Sequence, residues 1–192
     1  SQGYLVVCVD GRGTNARGRD WRNATYMELG VKEAEDQISA AMYLKTLSYV
    51  DGNRMAICGW SYGGYETLMC LSKQPELVWK CGIAVAPVTS WRLYDSAYTE
   101  RYMRRPQVNE YGYEKADVIN LAADLKGNLL LVHGLADDNV HAQQSWLYVD
   151  ALVQAGKQFE MQMYVDDNHF LRNGNNYEHL HNRIMLFLKR NL

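Results

Sequence analysis

The 192-residue sequence contains no Cys-x-x-Cys pair, no His-Glu-x-x-His, no dense run of Lys or Arg, and no low-complexity segment, linker or internal repeat. Each absence narrows the field. Without a basic run, and with a formal net charge of −2, nothing favours nucleic acid or an anionic membrane surface. No apolar stretch approaches the roughly 18 residues of a membrane-spanning helix. The four cysteines, Cys8, Cys58, Cys70 and Cys81, form no spaced metal motif. Cys8, Cys58 and Cys81 fall in apolar strand-like runs, so they read as buried thiols rather than as a disulfide framework or metal ligands. No signal segment is visible at the start. An apolar run begins within the first few residues instead, as though the chain opens in the middle of a sheet, and a piece of a longer protein is expected.

What remains is an ordinary globular composition, 47% hydrophobic and 22% charged, in a length suited to one domain with a sizeable core. Five apolar segments read as strands: residues 4–9, 54–58, 81–86, 129–133 and 159–165. Most are continuously apolar rather than alternating, as in parallel strands covered on both faces. Helical spacings lie between them. Ala34, Ile38, Ala41, Leu44 and Leu47 recur at threes and fours within residues 29–47. Trp146, Val149 and Val153 do so within residues 143–155, before a stop at Gly156, and Leu180, Ile184, Leu188 and Leu192 near the C-terminus. Such alternation predicts a single α/β domain over residues 1–192, a mostly parallel sheet with helices on both faces.

The organising stretch is Gly59-Trp60-Ser61-Tyr62-Gly63, between an apolar strand and a helical run. Gly-x-Ser-x-Gly in that context is the nucleophile-elbow pattern of α/β-hydrolases. The flanking small residues let strand and helix pass closely, and the helix dipole and following N–H groups face a developing oxyanion. A glycine-rich turn with an incidental serine is the plain alternative, which the strand–turn–helix context disfavours. The other glycine-rich stretch, residues 10–26, has Gly-x-Gly after a strand. It lacks the third glycine and the immediate helix of a dinucleotide loop, so it reads as a surface loop.

A serine nucleophile in this fold needs an acid and then a histidine downstream. His133 precedes the acidic candidates, His141 sits at the start of a helix, and His179 and His181 lie within a helical run. His169 follows the last strand, on the kind of loop where this fold collects catalytic groups. The acid comes from the loop after residues 129–133, where spacing alone leaves both Asp137 and Asp138 open, one of them a candidate helix cap. A metal site from Asp137, Asp138, His141, Asp166, Asp167 and His169 is the rival. It lacks a tight motif and leaves the elbow unexplained. Trp91, Tyr94, Tyr98 and Tyr102 are spaced to share one helical face. Such a stripe is ordinarily core, but here it follows the strand after the nucleophile strand, where pockets form.

Together, Gly59-Trp60-Ser61-Tyr62-Gly63-Gly64-Tyr65, Tyr98-Thr99-Glu100-Arg101-Tyr102-Met103 and His133-Gly134-x-Ala136-Asp137-Asp138-Asn139-Val140-His141 resemble the dipeptidyl peptidase IV branch of the prolyl oligopeptidase (S9) family, bacterial members above all. The resemblance runs from about residue 4 to the C-terminus. It implies an α/β-hydrolase fold and a serine exopeptidase that releases N-terminal dipeptides with Pro, or less well Ala, in second place. By position it implies Ser61 as nucleophile, Asp137 as acid, His169 as base and the Tyr62 N–H as an oxyanion donor. It further implies Val88, Trp91, Tyr94, Tyr98 and Val140 around the substrate proline and Asn139 at a substrate carbonyl. It implies no metal or other cofactor, peptide substrates, dimerisation through this domain and a periplasmic or secreted location. An acylpeptide hydrolase or esterase of the same fold is the enzymatic alternative, and a catalytically silent binding relative the other.

Two departures stand out. The family usually has Gly after the catalytic histidine, where this chain has Phe170, a residue expected to alter that loop or crowd the leaving-group side. The family's second oxyanion donor, a tyrosine, its amine-binding acids on a β-propeller and its first hydrolase strands all precede the region matched here. Residues 1–192 alone are therefore expected to have little or no peptidase activity.

Overall fold

The computed structural model describes residues 2–192. Four strands, β1 (Ala56–Trp60), β2 (Cys81–Val85), β3 (Asn128–Gly134) and β4 (Glu160–Tyr164), form one parallel sheet in sequential order. The helices are α1 (Arg19–Asn23), α2 (Val31–Leu44), α3 (Tyr62–Lys73), α4 (Ser96–Met103), α5 (Glu110–Lys115), α6 (Gln143–Gln154) and α7 (Asn176–Asn191). Short 3₁₀ turns occupy Trp91–Leu93 and Ile119–Asp124.

The period of two in the strands divides the core. Ala84, Leu129 and Leu131 face a larger cluster built with Ala34, Leu68, Leu71, Tyr148 and Leu152 from α2, α3 and α6. Cys81, Ile83, Val85, Leu130 and Val132 face the other way, against Leu180 and Phe187 of α7. Every residue of β2 is buried, which is why its sequence reads as an unbroken apolar run. Sequential parallel pairing also puts the C-terminal ends of all four strands on one edge of the sheet, where ligands bind in open α/β sheets.

The predicted strands at 54–58, 81–86, 129–133 and 159–165 are present with shifts of up to two residues at their ends. The predicted strand at residues 4–9 is not. It pairs with no strand among the described residues, and its apolar side chains lie open, Val6 at 88% exposure. An apolar run carries the propensity to be a strand, but a strand exists only through a neighbour's N–H and C=O groups. Here Gln37 Nε2 donating to Val9 O at 2.9 Å is the observed tether. The expectation of buried thiols likewise fails for Cys8, in this segment, and for Cys58, on the edge strand β1; both are exposed, whereas Cys70 and Cys81 are buried.

Residues 10–26 form the expected loop, with α1 inside it, held to α2 by Arg12. Its guanidinium donates to Asp36 Oδ1 at 2.7 Å and to Glu35 Oε2 at 3.1 Å. The aromatic stripe is no single helix. Trp91 ends on a 3₁₀ turn, and Asp95 then caps α4 by accepting the Tyr98 N–H at 2.9 Å. An aspartate three residues ahead of a helical N–H is an N-cap, and it starts a new helix inside the stripe.

The tightest packing is at the elbow. A Cβ at Gly59 would overlap the carbonyl of Gly63, and one at Gly64 would lie 2.8 Å from Val85 O. Gly59→Ala should therefore force α3 off β1 and lower stability by about 2–4 kcal/mol, read as a shifted urea midpoint. An unchanged midpoint would show that the elbow tolerates a methyl group.

Candidate active site

Ser61 joins β1 to α3 with φ 59° and ψ −117°. A non-glycine residue with positive φ outside the left-handed helical well is strained, and it persists only where its surroundings fix it. They do so here: Ser61 N donates to Val85 O at 2.8 Å, and Tyr65 N donates to Ser61 O at 3.0 Å. The first turn of α3 begins immediately after the serine, so its unpaired N–H groups and the positive end of its dipole lie beside the hydroxyl.

The turn after β3 presents Asp137 as a buried carboxylate with a defined set of donors. Oδ1 accepts the N–H groups of Asn139 at 3.0 Å and Val140 at 2.9 Å. Oδ2 lies 2.7 Å from His169 Nδ1 and 3.3 Å from His133 Nε2. Burial works against the charge on Asp137, but hydrogen bonds from His133 and His169 outweigh it and hold the carboxyl well below the usual range. Its neighbour Asp138 is exposed, and α6 begins without a side-chain cap.

His169 occupies the loop between β4 and α7, also buried. The loop is built around Asp167, whose carboxylate accepts the N–H groups of Asn168, Arg172 and Asn173 and the Asn176 side-chain amide at 2.8–3.2 Å. Its lone pairs thus serve the loop, and among the described residues no three His, Cys, Asp or Glu side chains converge in a way that could hold a metal ion. Ala136 N donates to Asp167 O at 3.0 Å, tying the acid's turn to this loop. Trp60 Nε1 donates to the His169 carbonyl at 2.9 Å, tying the loop to the residue before Ser61. Phe170 is 61% exposed, with its ring edge-on to the imidazole at 5.8 Å and 75°. The positive φ of this loop falls at Leu171, φ 51°, and at Asp166, not at Phe170, so the backbone at 170 makes no demand for glycine.

The apolar residues expected around a substrate meet in one cluster with the elbow. Val88, Trp91 and Val140 are buried in the larger core, and Tyr62, Tyr94 and Tyr98 pack against it half-exposed. The Trp91 and Tyr98 rings stack at 5.8 Å, and Tyr94 stands edge-on to both at 5.9 and 5.4 Å. Tyr102 continues the contact to Tyr98 at 4.7 Å. Asn139 Oδ1 accepts the Tyr94 hydroxyl at 2.7 Å, joining the acid's turn to the aromatic group. Burial pushes the Tyr98 phenol up to about 12, so the face stays uncharged at neutral pH.

Spacing alone gave no sign of two acidic side chains beneath Tyr62. The Tyr62 hydroxyl donates to Glu33 Oε1 at 2.8 Å, and both carboxylate oxygens of Glu66 are buried without a hydrogen-bond partner among the described residues. Burial, reinforced by the charge of Glu33, raises Glu66 well above the usual carboxylate range. A carboxyl raised in this way holds its proton more tightly when folded than when unfolded; it costs nothing below its ordinary value and penalises folding increasingly as pH rises above it. Glu66→Gln should gain urea stability over the native chain between about pH 5 and pH 8. A pH-independent difference would mean that Glu66 stays ionised.

Comparison with known proteins shows the family of this chain. The prolyl oligopeptidase family model matches residues 1–192. A probable dipeptidyl-aminopeptidase B of Neurospora crassa is 49% identical over 186 residues, 95% of this chain and 20% of the relative. The crystal structure of Porphyromonas gingivalis dipeptidyl peptidase 4 superposes with a TM-score of 0.94 at 54% identity, over 96% of this chain and 26% of that one. A putative dipeptidyl aminopeptidase IV from Bacteroides ovatus gives 0.91 at 37% identity, over 95% and 26%. The fold is thus the α/β-hydrolase type that the elbow implied. The chain spans about a fifth of the length of the curated relatives it matches.

Proposed function

We propose, from the premise that this chain belongs to the prolyl oligopeptidase family, that it carries the acyl-transfer machinery of a serine exopeptidase releasing N-terminal Xaa-Pro or Xaa-Ala dipeptides. The observation that carries the reading is the 2.7 Å contact of His169 Nδ1 with Asp137 Oδ2, on a loop bonded through Trp60 to the strand of a strained Ser61. Asp137, ionised, accepts the Nδ1–H and leaves Nε2 free to take the Ser61 proton. Ser61 Oγ attacks the carbonyl after the second residue, and the Tyr62 N–H donates to the oxyanion at the start of α3. His169 returns the proton to the leaving amine, and the acyl-enzyme is hydrolysed by water through the same base.

Val88, Trp91, Tyr94, Tyr98 and Val140 make an apolar, uncharged surround for a pyrrolidine ring, one without a partner for a longer polar side chain. We assign Asn139, whose Oδ1 accepts the Tyr94 hydroxyl, to a substrate carbonyl. We assign recognition of the free amine and the second oxyanion donor to an N-terminal β-propeller and the preceding hydrolase strands of the whole protein. Dimerisation through this domain and a periplasmic or secreted location belong to the same reading. Among the described residues no helix is long and apolar enough to cross a membrane.

In the full-length protein, Ser61→Ala should lower turnover of a Gly-Pro p-nitroanilide by at least about a thousandfold; retained turnover would overturn the assignment. Tyr98→Ala should raise KM for the same substrate more than it lowers kcat, since it removes a wall and no reacting group. A preference for short acyl esters over Xaa-Pro amides would instead favour an acylpeptide hydrolase or esterase. Failure of a fluorophosphonate probe to label Ser61 would favour a silent binding relative.

A further inference from the structure

One buried titratable side chain touches this machinery and has no part in the steps above. His133, in β3, is fully buried with both ring nitrogens in contact. Nε2 lies 2.7 Å from the Val140 carbonyl oxygen, and Nδ1 lies 2.7 Å from Ser145 Oγ on α6. A carbonyl oxygen can only accept, so Nε2 carries the hydrogen, and Nδ1 accepts the Ser145 hydroxyl. The same Nε2 atom lies 3.3 Å from Asp137 Oδ2, the oxygen that His169 Nδ1 approaches at 2.7 Å. Asp137 Oδ2 therefore stands between two imidazoles, one from the loop after β4 and one from β3.

The turn over residues 134–140 is closed from two sides. Asp137 Oδ1 gathers the N–H groups of Asn139 and Val140, and His133 takes the carbonyl of Val140. Val140 is also a buried member of the apolar cluster that includes Trp91 and Val88. One ring thus touches the carboxylate that orients the proposed base and the residue that walls the proposed proline site. The ionisable group in contact with it is Asp137, from its own turn; α6 offers Ser145. A satisfied core histidine would need neither a carboxylate nor a wall residue among its partners.

We infer that His133 is a positioning residue: through its Nε2–H it holds the Asp137 carboxylate against His169 and the Val140 wall in one fixed relation. The inference rests on the reading of Asp137 and His169 as acid and base. In the full-length protein, His133→Leu keeps bulk but removes the donor, whereas His133→Gln returns an amide N–H near the Nε2 position. His133→Leu should lower kcat/KM for a Gly-Pro p-nitroanilide about ten- to a hundredfold, the loss expected when buried acceptors lose their donor. The rate at which a fluorophosphonate labels Ser61 should fall in parallel, and His133→Gln should recover most of both. In an Asp137→Asn background, adding His133→Leu should cost less than about twofold more, because the group it positions is already disabled.

A folded His133→Leu protein with kcat/KM and labelling rate within twofold of the native values would overturn the inference. So would losses that multiply independently with those of Asp137→Asn. If His133→Leu does not fold, Ser145→Ala decides: it frees the Nδ1 side of the ring, and the labelling rate should drop several-fold without a change in Tm. An unchanged rate overturns the inference. Full activity in Asp137→Asn would instead remove the acid–base reading itself, whereas an inactive Asp137→Asn beside silent His133 variants would remove only the role of His133.

Discussion

A helix can leave a strand through a single residue only if the two backbones nearly touch, and at Gly59 and Gly63 they do. Any side chain on Gly59 would fill the space that the first turn of α3 needs. That approach forces Ser61 into a backbone conformation few residues adopt, and the bond from Ser61 N to Val85 O then fixes the elbow to the neighbouring strand. Because β1 to β4 run in one direction in sequential order, the same edge of the sheet receives the Asp137 turn from β3 and the His169 loop from β4. The site is thus a consequence of parallel pairing around one glycine contact, with local chemistry completing each loop.

The carboxylates near this edge separate by their donors. Asp137 is buried and charged because two backbone N–H groups and two imidazoles meet it. The carboxylate oxygens of Glu66 are buried with none among the described residues, and burial raises Glu66 well above the usual carboxylate range; Glu33, with the Tyr62 hydroxyl on one oxygen, is raised in the same direction by burial. Burial alone would push all three upward; the hydrogen bonds each carboxylate accepts set the direction of its shift.

Much of this was legible in the sequence where the signal was local. Gly-x-Ser-x-Gly is a backbone requirement written in five adjacent residues, and chain order in a fold already suspected made His169 the candidate base. Asp137 and Asp138 were indistinguishable because the difference lies in which carboxylate folds back on its own turn. Residues 4–9 were misread because apolarity reports what a segment can bury, not whether a partner stands beside it. The aromatic stripe was read as one helix although Asp95, three residues before Tyr98, is a cap signal that splits it. His133 was passed over on chain order alone; the role inferred for it rests on contacts to residues up to twelve positions away that no spacing rule tests.

The indole of Trp60 gives the loop after β4 a further property. By holding the carbonyl of His169, it anchors that residue's main chain to the strand that leads into Ser61. His169 is thus held at two points, its main-chain carbonyl by Trp60 and its Nδ1 by Asp137. In the proposed mechanism the proton would therefore pass through a ring whose main chain and Nδ1 side are both already engaged.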